Sequence, residues 1–251
     1  MATGIVNPYA VAAGGLSYED ECLADSPVGL WMMNETSGTT IVNQGSSGTA
    51  GNGSYGTTFS PVLAGDTLFG LTTPDFQNSQ DFVLMTYPVG STPDAGVTGA
   101  ATWEYLFRID GSLGAYHFGI LPAPYNALMA FSQASGTYSA QILTTYGASP
   151  MYVYAPAGTL VSGTEYHCVI TYDRAAPRLE VWINGVSVAA VTTLNSNTST
   201  GTAALTQPVG GYSKTSGTTG IGSTLGGSLG GYAMYAGGLS NARIADHYAA
   251  L

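Results

Sequence analysis

Short apolar runs alternate with polar residues along almost the whole chain, and Gly, Ser, Asn or Pro ends most of them. Alternation with a period of two puts successive side chains on opposite faces of an extended strand. Strands are predicted over 82–85, 103–109, 116–120, 127–131, 141–145, 165–172, 178–183, 186–192 and 231–235. The clearest hairpin follows Arg178: Leu179, Val181 and Ile183 alternate with Glu180 and Trp182, and Asn184-Gly185 suits the two positive φ values of a type I′ turn. So many strands without intervening helices predict an all-β fold, two packed antiparallel sheets.

Helical periodicity is confined to the ends. Ser240 is placed to cap a C-terminal helix on which Ile244, Tyr248 and Leu251 share one face. Residues 1–25 read as an N-terminal arm, with 26–251 as one domain. Within the arm, Ser17 could cap a short helix whose first turn holds Glu19, Asp20 and Glu21. Pro8 and Gly14-Gly15 suit an extended peptide that orders against a neighbour in an assembly. The Gly/Ser/Thr-rich stretch 195–230 keeps Leu205, Val209, Ile221, Leu225 and Leu229, so edge strands and loops of the same domain are expected there.

Only 8% of the residues are charged, against roughly 25% in an ordinary soluble domain, while 45% are apolar. The surface must therefore be solvated by Gly, Ser, Thr and Asn. The net charge is −10, with one lysine, Lys214, and four scattered arginines, which excludes the clustered cations that a nucleic-acid partner requires. No apolar run is long enough to span a bilayer, and the N-terminus lacks the basic and apolar regions of a signal peptide. Cys22 and Cys168, the only cysteines, read as free and buried. No Cys-x-x-Cys or paired Cys/His spacing indicates a zinc centre.

Four segments, in order, resemble the concanavalin A-like superfamily in its laminin-G-like form. GLWMMNETSGTT at 29–40, followed by Asn43, is similar to that family's opening strand and loop. TWEYLFR at 102–108 stands where the family has a core strand. GTEYHCVITYD at 163–173 running into LEVWING at 179–185 is the most specific match, although Tyr166 replaces the usual tryptophan. GGYAMY at 230–235 with Leu239-Ser240 resembles the closing strand and tail. The resemblance implies a concanavalin A-like jelly-roll β-sandwich of the kind found in tailed-bacteriophage virion proteins. As a function it implies a non-enzymatic minor tail, tail-fibre or head-decoration component, assembled in the host cytoplasm; the alternative is a secreted or host carbohydrate-binding lectin module. Other virion subunits, a cell-surface glycan and further copies of the chain in a homo-oligomer are the expected partners.

The fold also hosts glucan hydrolases, which place two carboxylates about 5–9 Å apart across a cleft. No E-x-D-x-x-E strand occurs, so no catalytic residue is expected. Glu104, Arg108 and Asp110 share one strand face and read as a salt-linked surface. His167 lies opposite the tyrosines of its strand, with no nucleophile near it in sequence, and reads as a hydrogen-bonded structural residue. No cofactor is called for. Calcium, if held, would use Asp75 and Asp81 with Asn78 between them and Asp66 nearby, though a solvated polar turn is the simpler reading. The best candidates for ligand binding are Tyr152 and Tyr154, bracketed by Pro150 and Pro156, with Tyr146 close by. Two apart in extended chain, the first two rings would point the same way and form a platform.

Overall fold

A computed structural model describes residues 15–55, 60–76, 83–87, 100–110, 128–134, 137–143, 153, 155–156, 158–173, 175–176, 178–192, 205–209, 211–215, 218–224 and 226–251. The chain opens with helix α1 (Tyr18–Ala24), then β1 (Gly29–Trp31), β2 (Thr40–Ile41), β3 (Gly53–Tyr55), β4 (Val62–Leu68), β5 (Leu71–Phe76) and β6 (Val83–Tyr87). There follow β7 (Ala100–Ile109), β8 (Leu128–Ala134), β9 (Thr137–Leu143), β10 (Glu165–Asp173), β11 (Arg178–Ile183) and β12 (Val186–Val191). The last elements are β13 (Leu205–Val209), β14 (Gly211–Thr215), β15 (Thr218–Thr224), β16 (Gly227–Tyr235) and α2 (Asn241–Ala249).

The larger sheet runs β12-β11-β10-β7-β16-β5-β4, with β1 also paired to β16; the smaller runs β13-β6-β3-β2. The described ladders are antiparallel, and β8-β9 and β14-β15 form separate two-stranded ribbons. One apolar core joins the two sheets. Trp103, Tyr105, Phe107, Cys168, Ile170, Val181 and Leu229 come from the larger sheet, and Ile41, Tyr55, Val83 and Met85 from the smaller. This is the predicted β-sandwich, and β13 to β15 supply strands in the glycine-rich stretch. The expected strand at 116–120 lies outside the described residues.

The Asn184-Gly185 turn has φ values of 51° and 74°, as its sequence predicts. Asn184 Oδ1 also accepts from the His167 amide at 2.9 Å, which fixes the turn beside β10. Asn43 holds the loop after β1. Its Oδ1 accepts from the amides of Leu30 (2.9 Å) and Gly45 (3.0 Å), and its Nδ2 donates to Ser47 Oγ (2.7 Å) and the Gly48 carbonyl (3.0 Å).

Alternation along β7, β10 and β11 sends one set of side chains into the sandwich. Much of the other set, including Glu104, Leu106, His167, Val169 and Trp182, is buried as well, beneath α1 and α2 on the outer face. Tyr18 and Cys22 of α1 are buried with Leu30, Leu106 and Tyr235, while Ile244 of α2 packs on Val169 and Trp182. Ser17 caps α1 as expected, in a reciprocal pair with Asp20, and Ser240 caps α2. The segment 18–24 is thus packed against the domain. Both cysteines are free, Cys22 beneath the helices and Cys168 inside the sandwich.

Candidate functional site

A buried polar cluster sits between the larger sheet and its two helices. Glu104 of β7, His167 of β10 and His247 of α2 are each fully buried. The register of β7 and β10 pairs Glu104 with Val169 and Leu106 with His167, so Glu104 and His167 are diagonal neighbours on the outer face. Oε1 of Glu104 meets His167 Nε2 at 2.7 Å, and Oε2 lies 2.9 Å from His247 Nδ1. Tyr235 donates to Oε2 at 3.1 Å, and the Cys22 thiol stands 3.9 Å from Oε1. Burial alone would raise the Glu104 pKa; the hydrogen bonds and charges of the two histidines outweigh it and hold the carboxyl well below the usual range.

The other edge of the His247 ring completes the arrangement. Its Nε2 meets Asp25 Oδ2 at 2.9 Å, so one imidazole bridges two carboxylates. Burial lowers the His247 pKa, but Glu104 and Asp25 outweigh burial and raise it. Asp25 is in turn bound by Arg243 Nε at 2.9 Å, and Arg243 reaches Glu21 at 2.8 Å and Asp246 at 3.1 Å. Arg243 therefore ties the two helices together across the cluster. Burial pushes the Cys22 thiol well above its ordinary value, and the Glu104 charge pushes it further.

The salt-linked surface predicted for Glu104, Arg108 and Asp110 needs a correction. Arg108 does bind Asp110, through Nε at 2.8 Å, and it also binds Asp66. Glu104, four residues earlier, takes no part. The helices cover that end of β7, and two histidines replace the arginine as partners. His167 is the buried, hydrogen-bonded residue that its position predicts. His247 and the joining of Cys22 to Glu104 had no signal in the sequence. The three residues lie on three elements far apart in the chain, and no local spacing marks them.

Asp75 pairs in register with Ser228 and Val62 in the β16-β5-β4 part of the sheet. Asp66 accepts from Ser228, Arg108 and the Thr67 amide. Burial raises its pKa, and those donors together lower it below the ordinary value. Asp81 lies outside the described residues, as do Tyr146, Tyr152 and Tyr154. Between the last two, Val153 is buried in the sandwich core.

No family model matches this chain, and no curated protein sequence does. Solved structures resemble it. The binding domain of Paraclostridial Mosquitocidal Protein 1 superposes with a TM-score of 0.66 at 12% identity, over 90% of this chain and 52% of that one. The Botulinum neurotoxin serotype D binding domain gives 0.59 at 10% identity, over 91% of this chain and 52% of that one. Trypanosoma rangeli sialidase in complex with sialic acid gives 0.55 at 14% identity, over 88% of this chain and 32% of that one. The chain thus spans about a third of the sialidase and about half of the toxin binding domains. At such identities the likeness is one of fold. It is that of an antiparallel β-sandwich, the class the strand pattern and the two packed sheets define.

Proposed function

We propose that this chain is a non-enzymatic, lectin-like binding module of a tailed-bacteriophage virion, in a minor tail, tail-fibre or head-decoration protein. It would engage a cell-surface glycan or neighbouring virion subunits. The observation that carries the binding reading is the sandwich itself, similar over about nine-tenths of its length to two toxin binding domains. The virion setting rests on the laminin-G-like motifs and the charge-poor, Gly/Ser/Thr-rich composition.

Two central-strand carboxylates that a glycan hydrolase could use have other work. Glu104 is sealed under the helices. Glu180 is bound by Arg178 through both guanidinium contacts, each 2.6 Å, and by the Ser187 hydroxyl. Neither is placed for proton transfer at a cleft. The binding site we assign is the Tyr152/Tyr154 loop. Its bracketing prolines would limit the entropy lost on engagement, and Val153, between the two tyrosines in sequence, is buried in the core.

Incubating the purified chain with labelled bacterial surface polysaccharide, and assaying hydrolysis in the same tubes, tests the reading. Retention without release of reducing ends is expected. The double variant Tyr152→Ala, Tyr154→Ala should keep its melting temperature and lose retention, or lose incorporation into particles if the partner is a subunit. Sustained turnover that survives this double change would replace the reading with a hydrolase.

A further inference from the structure

We propose that Cys22, Glu104 and His247 form a buried structural site for a divalent transition metal, zinc by ligand type, that clamps α1 and α2 to the sheet. One ligand comes from each of α1, β7 and α2. Their donor atoms already stand together: Sγ lies 3.9 Å from Glu104 Oε1 and 3.9 Å from His247 Nδ1, and Nδ1 lies 3.1 Å from Oε1. A triangle with those sides has a centre about 2.1 Å from every corner, against zinc bonds of roughly 2.0–2.3 Å to O, N and S. The three donor atoms are thus spaced as ligands of one such ion. Oε2, 2.9 Å from Nδ1, can close a fourth position from the same carboxylate.

The surroundings have the form that metal sites require. A ligating histidine needs its other nitrogen held, often by a carboxylate, and Asp25 does this at His247 Nε2. A ligating carboxylate needs a donor on it, and His167 Nε2 supplies one at Oε1. The mixed thiolate, imidazole and carboxylate set favours zinc over calcium or magnesium. Binding releases the Cys22 thiol proton and the His247 Nδ1 proton to solvent, leaving a thiolate, a neutral imidazole and a carboxylate around a dication. The two anionic ligands cancel the metal's charge, which suits a site without solvent access.

Cobalt reads the site directly, because a thiolate bound to Co2+ gives a charge-transfer absorption in the near ultraviolet. The full chain would be unfolded with a chelator, freed of it, and refolded with increasing Co2+, which avoids any barrier to entry. A band that saturates at one equivalent and is displaced by Zn2+ is expected, with a higher melting temperature for the zinc form. The band should persist in Cys168→Ala, whose sulfur lies inside the sandwich, and vanish in Cys22→Ser. Asp25→Ala should keep the band and weaken binding by about 10–100-fold, the usual effect of removing such a supporting group. Absence of the band in refolded wild-type chain, or its loss in Cys168→Ala with retention in Cys22→Ser, would overturn the site. Because neither readout uses glycan or particles, its failure is separable from that of the binding reading.

Discussion

Glu180 shows how single residues are stabilised on the outer face. Burial would raise its pKa, but Arg178 and Ser187 outweigh burial and bring it below the ordinary 4.5. A carboxyl depressed in the folded chain adds stability above its unfolded value and loses it as pH falls through the folded one. Asp66, depressed by Ser228, Thr67 and Arg108, acts in the same direction. Thermal unfolding followed from pH 7 down to about pH 2 should show the melting temperature falling most below about 4.5, the unfolded carboxylate range. Glu180→Gln should flatten part of that fall, and an unchanged slope would remove Glu180 from the account. The alternation along 178–183 puts Arg178 and Glu180 on one face, and the structure shows the ion pair that this permits. Glu104 was not legible in this way. Its own strand suggested Arg108 as partner, and nothing local to 102–108 reports that a helix more than a hundred residues later brings His247 over it.

Among the elements, β16 has the least ordinary geometry. Its pairing with β7 shifts register between Gly230 and Ala233, and Gly231 there has φ 55°. A side-chain carbon at Gly231 would lie 2.8 Å from a ring carbon of Tyr18 and 3.0 Å from Leu106. The bulge thus receives the Tyr18 ring, whose hydroxyl donates to the Gly231 carbonyl at 3.2 Å. Gly231→Ala should cost about 1–2 kcal/mol in left-handed backbone strain, and more from crowding, measured as a lower urea midpoint. A variant as stable as the parent would mean that α1 is not seated in the bulge. Period-two alternation revealed that β7, β10 and β11 exist and which face enters the sandwich. It could not reveal that the second face is covered too, because a short helix such as α1 leaves almost no periodic trace. The Asn184-Gly185 hairpin was legible in full, since its conformation is set by the two residues that form it.

At the scale of the whole molecule, helix α1 decides how the N-terminal segment belongs to the domain. An arm boundary at residue 25 divides the chain just after two buried side chains, Tyr18 and Cys22, and just before β1. Asp25 itself joins His247 and Arg243, so the start and the end of the described chain are held to each other over the same sheet. If 1–24 were a free arm, removing it would leave the sandwich unaffected. With Tyr18 and Cys22 packed on Leu106 and Tyr235, its removal uncovers the outer face and strips Glu104 of one neighbour. Loss of a buried aromatic ring costs roughly 3–5 kcal/mol. A chain lacking residues 1–24 should therefore melt well below the full chain, whereas one lacking only residues 1–14 should melt close to it. Comparing both by calorimetry also bears on assembly. An arm that orders only against a neighbour must end before Ser17, so under the proposed virion role the shorter deletion should impair incorporation into particles without loss of stability. Equal melting temperatures for the two deletions would show that α1 adds nothing to the isolated domain.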